Sequence, residues 1–379
     1  MRYEFLANFH GYNSSKIDQF IHFDKCDLFW KFQSLNSSIT DDAKKEYARG
    51  LYRELTHSKN IKNSEFELQI IKNNYSIMKQ LGIINQNTGY LIENFPHFFV
   101  IQFKFILKKS FMSKDDQDFY IIDNPIRKEK IFKIPEIAAS SWKGNLRKSI
   151  INRLLEEIYF KVSDSVELST NRIESIINSS TKKRSQQVVI FGTETEQIKK
   201  YLVKEFSKIF KISEEQMNIK FENILLSLNR QNESGPTGQG RLTFFPSFLD
   251  KMDLEVINPH DRNRKVGTLP IYFECAPVGS KGTFSLLYFP FDRIGREDAG
   301  NGFELSLEEE MTQDLRTICR GIRDMFTKYG FGAKTSSGFG NADILEESID
   351  IKMKGIDNEI ELLDDSVDIL LGRKEVEDA

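Results

Sequence analysis

The sequence runs to 379 residues with 53 basic and 56 acidic side chains, and a formal charge of −3 marks neither a nucleic-acid binder nor a membrane-surface protein. A hydrophobic content of 39% with 31 Phe is enough for a substantial core and excludes disorder of the whole chain. The densest apolar run, residues 286–291, is interrupted by Pro290 and falls far below the roughly 18 residues of a membrane helix.

The opening MRYEFLANFHGYNSSK lacks the apolar core of a secretory signal. Cys26, Cys275 and Cys319 lie far apart without CxxC spacing, which supports neither a zinc knuckle nor a disulfide framework and points to a reducing, cytoplasmic setting. From residue 17 to about 84 the chain is polar and helix-favouring. Tyr47, Leu51, Tyr52 and Leu55 recur at helical spacing until NQNTG at 85–89, so residues 1–95 read as a mainly helical extension. Between 98 and 111, Ile101, Phe103 and Phe105 alternate with Gln102 and Lys104, the period of a half-buried strand. A polar SKDDQD loop follows, and the chain passes Asp123, Asn124 and Pro125 into a helix. There Leu146, Ile150, Leu154 and Ile158 step by four, with Ser140 or Ser141 as cap.

Residues 161–235 read as an insertion of helical pieces, a basic TKKRSQQ turn at 181–187 and an isolated VVIFG at 188–192. A glycine-rich bend, GPTGQG, introduces the strand RLTFF; the polar loop PHDRNRKVGT, the strands IYFECAPV and TFSLLYFPF, and a helix over 307–329 come next. After the glycine-rich GFGAKTSSGFG at 330–340, residues 342–379 hold thirteen acidic and four basic side chains, a local charge of −9. Strand, helix, strands and helix without a regular βαβ repeat predict an α+β domain around an antiparallel sheet over 96–345. Residues 346–379 read as an acidic C-terminal tail that faces away from any anionic ligand.

The chemistry concentrates in three places. Residues 104–153 carry twelve Lys or Arg against six acids, and Lys143, Arg147, Lys148 and Arg153 lie early in the amphipathic helix. Basic side chains at a helix N-terminus suit a phosphodiester backbone, while a solvated helix face is the ordinary alternative. Trp142 beside Lys143 either stacks on a base or is buried. The 330–340 loop is either a phosphate cradle to which Lys334 adds charge, or a helix C-cap at Gly330 with a tight turn. Ala333 stands where a P-loop needs glycine and a helix precedes, so neither nucleotide fingerprint is met. His260, with Asp261, Arg262 and Arg264, either meets phosphate, shuttles a proton or holds its own loop. The five histidines are scattered, and no metal site is predicted from them.

Three segments, in this order, resemble the signature of the RAMP proteins, the RNA-binding backbone subunits of type III CRISPR effector complexes. IPEIAASSWKGNLR at 134–147 resembles the family's P-x-IPGSSLKGxLR loop and helix; VVIFG and GRLTFF resemble its LFG element and the following strand; FGAKTSSGFG at 331–340 resembles GAKTxxGYG. Ala138 and Ala139 stand where the family has Pro-Gly or Gly. The resemblance implies a ferredoxin-like (RRM-like) core with a helical or hairpin insertion. It implies crRNA held along its phosphates as subunits stack into a filament, with target RNA and other type III effector subunits as partners. It carries Ser140, Ser141, Lys143 and Arg147 over as RNA-backbone contacts, and Gly332, Lys334, Thr335 and Gly338 as parts of the C-terminal loop.

Two further stretches resemble different subunits. YIIDNPIRKEK at 120–130 is similar to the target-cleaving backbone subunits, with Asp123 at their aspartate, and LEVINPHDRNRKVGTLPIYF at 254–273 is similar to the sixth Cmr subunit. Asp123 would then ligate a divalent ion such as Mg2+, with Asp115, Asp116 and Asp118 in support, or orient a 2′-hydroxyl; an Asx turn before Pro125 is the plain alternative. The expectation is a crRNA-binding backbone subunit acting in antiviral defence. The alternatives are a metal-dependent endoribonuclease using Asp123 and, more weakly, a nucleotide-binding enzyme using the glycine loop.

Overall fold

A computed structural model describes residues 31–32, 35–36, 39, 41–56, 71–84, 95–115, 121–163, 170–192, 196–228, 239–258, 270–298, 305–356 and 359–374. Helices α1 (Asp42–Thr56) and α2 (Asn73–Gln80) precede strand β1 (Phe98–Leu107). The alternation read in the sequence sets β1's two faces. Phe99, Ile101, Phe103, Phe105 and Leu107 enter the main core, while Phe98 and Val100 join a separate cluster on the opposite face.

The short β2 (Glu136–Ile137) leads into α3 (Ala139–Ser163), the insertion helices α4 (Thr170–Phe191), α5 (Glu196–Phe210) and α6 (Glu214–Leu228), and then β3 (Leu242–Phe244) and β4 (Ser247–Phe248). The hairpin arms β5 (Asp253–Ile257) and β6 (Ile271–Cys275) precede β7 (Lys281–Tyr288), α7 (Leu307–Asp324), which widens into a π turn over Met325–Tyr329, and β8 (Ala342–Ile344). Last come β9 (Asp350–Lys354) and α8 (Glu359–Leu371).

The sheet order is β3-β7-β1-β8, every pair antiparallel, with β9 sharing β1's far edge: Phe103 lies opposite Phe284, Phe105 opposite Ile344, and Ile101 opposite Ile351. Taken as β1-α3-β3-β7-α7-β8, this is the βαββαβ ferredoxin-like arrangement, an α+β fold. Helix α7 begins at a capping box, in which Glu309 N–H donates to Ser306 Oγ at 3.3 Å and Ser306 N–H to Glu309 Oε2 at 2.9 Å. It packs closely on α3 at Gly321, where an added Cβ would stand 2.4 Å from Ile150 Cγ1, and Ser149 Oγ donates to the Gly321 carbonyl at 2.8 Å.

Two expectations give way. TKKRSQQ is not a turn but the interior of α4, with Thr181 Oγ1 donating to the Ile177 carbonyl at 2.6 Å and Ser185 Oγ to that of Thr181 at 3.0 Å. Its buried face is polar, with Thr181, Arg184, Ser185 and Gln187 turned inward, so no apolar period announced a helix. The VVIFG segment is that helix's last turn, closed at Gly192 with φ +80°.

Residues 346–379, read as an acidic tail, carry β9 and α8 among their described positions. Strand β9 pairs with β1, and α8 buries Leu362, Ile369 and Leu370. Acid-rich composition concealed an ordinary strand and an amphipathic helix, because charged residues occupy only their outer faces. Part of that charge is met by Arg316, 3.1 Å from Asp365, and by Lys374 beside the same carboxylate.

The N-terminal helices join the main core through Tyr52 and Met78. A buried node ties them down: Glu274 accepts from Tyr52 Oη, from the Lys128 ammonium and, at 3.1 Å, from Ile126 N–H. Among the described residues no helix is long and apolar enough to cross a membrane.

Candidate nucleic-acid interface

Helix α3 is aimed by its first turn. Ser141 and Trp142 N–H groups both donate to the Ala138 carbonyl, at 2.9 and 3.1 Å, which closes the turn directly after β2. Trp142 is fully buried. Its ring packs edge-on to Phe105 and Phe284 with centroids 5.9 and 5.0 Å away, parallel to Phe326 at 5.6 Å, and its Nε1–H donates to Ser247 Oγ at 2.9 Å. The expectation that Trp142 stacks on a base is therefore corrected: a ring enclosed by phenylalanines offers no face to a ligand, and its polar edge already has a partner.

With Trp142 anchored inward, the other side of the turn points out. Ser140 and Ser141 are exposed, and Lys143 and Arg147 are half-buried one turn apart on the same stripe. Arg147 lies over the Phe191 ring, 5.2 Å from its centroid, and its Nη2 donates to the Phe191 carbonyl at 3.0 Å, while its Nε is buried with no hydrogen-bond acceptor. Among the described residues neither Lys143 nor Arg147 is paired with a carboxylate.

Burial lowers both groups below their ordinary values, and the Arg147 charge lowers Lys143 further. Arg184 of α4, 6% exposed, is lowered to about 10 by burial and then by Arg147. Lys143 and Arg147, with Arg184 beside Arg147, thus crowd positive charge near the positive end of α3, an arrangement that favours an anion. Sequence reading missed Arg184; the signal was its position one turn before VVIFG, hidden by the assignment of TKKRSQQ to a turn.

The glycine loop is brought to the same place by Phe331, whose ring lies 4.8 Å from Trp142 and 5.1 Å from Phe326. Phe331 N–H donates to the Gly340 carbonyl at 3.2 Å, Ala333 N–H to Met112 O at 2.8 Å and Gly340 N–H to Ser110 O at 3.0 Å, so the loop is pinned to the end of β1. Gly330, Gly332, Gly338 and Gly340 all have positive φ, as does Lys334 at +58°. Lys334 is exposed, with its ammonium 4.1 Å from the centre of the Phe273 ring on β6; Gly332 is exposed, and Thr335 and Gly338 are half-buried. His260, Arg262 and Arg264 lie outside the described residues, between the arms of the β5–β6 hairpin.

Asp123 sits in a loop held to β6 from the other side, where Glu274 N–H donates to the Asn124 carbonyl at 2.9 Å and Asn124 Nδ2 to that of Tyr272 at 3.1 Å. Its carboxylate is exposed and meets Arg49 of α1, Nη2 to Oδ1 at 3.0 Å, while Arg49 Nε donates to the Ile121 carbonyl at 2.9 Å. Asp116 and Asp118 lie outside the described residues, among which no three His, Cys, Asp or Glu side chains gather as metal ligands. With Asp116 and Asp118 outside the described residues, no step through a metal is built on Asp123.

The basic count over 104–153 also resolves into parts. Lys128 is buried against Glu274, Lys108 reaches Asp343 at 2.6 Å, and Arg153 is shared by Glu157 at 2.9 Å and Asp324 at 3.0 Å. Of that set, Lys143 and Arg147 lie on the first turns of α3.

Comparison with solved structures aligns the chain to one from a cryo-EM structure of the type III-B Cmr-beta bound to cognate target RNA, at 13% identity and a TM-score of 0.43, covering 90% of this chain and 98% of that one. Comparison with curated proteins finds no match. The sequence model of the RAMP superfamily matches residues 118–343. That stretch is well over half of the chain and takes in the α3 start, the 188–192 and 240–245 segments and the glycine loop together, and by it the chain belongs to the RAMP superfamily.

Proposed function

We propose that this chain is a crRNA-binding subunit of a type III CRISPR ribonucleoprotein acting in antiviral defence, holding guide RNA along its phosphates, positioning target RNA and docking against other effector subunits. Family membership and the motif resemblance support the class. The observation that carries the site is the pairing of Lys143 with Arg147 one turn apart on the first turns of α3, with Arg184 beside Arg147, where neither of the first two meets a carboxylate among the described residues. Phosphate there relieves the repulsion among the cations and is favoured by the positive end of the helix dipole. Such contacts position a strand without reading its sequence, so the expected ligand is single-stranded RNA of any sequence, bound with strong salt dependence.

The test is Lys143→Glu with Arg147→Glu in the full chain, read by fluorescence anisotropy with labelled mixed-sequence RNA and by the guide RNA recovered with the affinity-purified protein. Reversing two phosphate-facing charges is expected to lower affinity by at least about 100-fold. Unchanged affinity and unchanged guide recovery in a variant with native circular dichroism would overturn the reading.

A further inference from the structure

Helix α4 ends at the candidate site, and carbonyls of its last turn are taken up by different neighbours. That of Val188 accepts from Gly192 N–H at 2.8 Å, that of Val189 from the N–H of Arg241, which precedes β3, at 3.3 Å, and that of Phe191 from Arg147 Nη2 at 3.0 Å. Arg147 is therefore held by a backbone atom of α4, and its aim depends on how α4 is seated.

Apolar packing ties α4 to two clusters, through Ile177 to that of the insertion and through Ile190 and Phe191 to the main core. Such packing is non-directional, so the turn of the helix about its own axis is left to hydrogen bonds. The Thr181 and Ser185 hydroxyls donate within α4 itself. Half-buried Gln186 instead reaches another element: its Nε2 donates to Oδ1 of Asp314 on α7 at 2.6 Å. The bond lies five residues, about 7.5 Å of helix, before Phe191.

Asp314 is buried and fixed from its other side. Its Oδ2 accepts from Tyr288 Oη of β7 at 2.6 Å and from Arg241 Nη1 at 3.2 Å. Arg241 is clamped in turn, with Nε and Nη2 each 2.7 Å from an Asp292 oxygen and Nη2 3.0 Å from Glu310. A carboxylate whose two oxygens bond to groups before β3, on β7 and on α4 is a rigid anchor for the amide that meets it.

We propose that Asp314 and Gln186 are positioning residues of the RNA site: Asp314, through Gln186, sets the turn of α4 and so places the Phe191 carbonyl where it holds the Arg147 guanidinium toward phosphate. The role rests on the RNA-binding reading above. A neutral amide suits it, since a carboxylate at position 186 would meet Asp314 with like charge.

The experiment measures affinity for labelled single-stranded RNA against salt in the full-length protein, in Gln186→Leu, in Arg147→Gln and in the two combined. Gln186→Leu leaves Asp314 its bonds to Tyr288 and Arg241, and circular dichroism checks that each variant is native. The expected result for Gln186→Leu is about a fivefold loss of affinity, a slope flattened by about 0.7, the share of one phosphate contact, and no further loss on top of Arg147→Gln. Gln186→Glu with Asp314→Asn exchanges donor and acceptor across the same pair and is expected to restore affinity to within about twofold. A bond that serves stability alone gives a different pattern: Gln186→Leu leaves affinity unchanged, or lowers it by the same factor whether or not Arg147 is present. Either outcome overturns the proposal, as does failure of the natively folded exchanged pair to restore binding. If unaltered protein binds RNA and Arg147→Gln changes nothing, the placing of the strand at Arg147 falls; if unaltered protein binds no RNA, the RNA-binding reading itself falls and takes this role with it.

Discussion

Trp142 faces inward and yet positions the candidate site, because its ring braces Phe331 while its backbone forms the first turn of α3. Trp142→Ala removes the largest fully buried side chain among the described residues, leaves the Ser247 hydroxyl only its bond to the Thr283 carbonyl and opens a void among four phenylalanines, at a cost of about 3–5 kcal/mol. A chemical-denaturation midpoint measures it; a loss below about 1 kcal/mol would show that the ring is not the brace described here. The burial was legible. Position 142 is one helical step before Leu146, Ile150, Leu154 and Ile158, so the same period that predicted the helix placed the indole on its apolar stripe. Arg184 was not legible by that route, since its helix turns polar residues inward, and neither was Arg49, whose contact with Asp123 joins residues 74 positions apart.

Among the elements, the glycine loop makes the sharpest demands on its sequence. At Gly340, with φ +76°, an added Cβ would stand 1.8 Å from the Phe331 carbonyl oxygen, a backbone atom that cannot step aside; at Gly338, with φ +82°, nothing lies within 4 Å. Gly338→Ala is therefore expected to cost only the left-handed backbone penalty, about 1–2 kcal/mol, with RNA affinity nearly intact. Gly340→Ala breaks the Phe331–Gly340 closure and with it the loop's seat on β1, lowering the denaturation midpoint further and weakening RNA binding as well. Equal effects at the two positions, measured by denaturation and anisotropy together, would refute this account of the loop. The spacing of its glycines read plainly as a turn, and the strands and helices of the core read plainly from periods of 2 and 3.6. Strand β9 and α8 did not, because their outward acids outweighed a short inward apolar set in any compositional reading.

Across the whole molecule, a net charge of −3 conceals a division of labour. Several acids of the C-terminal segment are engaged by neighbouring bases, Asp343 by Lys108, Asp350 by Lys352, Asp365 by Arg316 and Lys374, and Glu346 by Arg373. Lys143 and Arg147 have no such neighbour among the described residues, so their field is left to act on an approaching polyanion. For single-stranded RNA, each phosphate contact contributes about 0.7 to the slope of log affinity against log salt, and Lys143→Gln with Arg147→Gln is expected to flatten that slope by about 1.4.

The pH dependence has a definite sign. Burial and the Arg147 charge lower the Lys143 ammonium, RNA phosphate favours its protonated form, and affinity therefore falls as pH rises through that lowered value, below the range where an ordinary lysine discharges. Lys143→Arg keeps the charge over the whole range and is expected to abolish the alkaline fall while preserving affinity at neutral pH. Anisotropy titrations from neutral to alkaline pH at fixed ionic strength decide it: an alkaline fall that persists unchanged in Lys143→Arg assigns the titrating group elsewhere and removes Lys143 from contact with the strand.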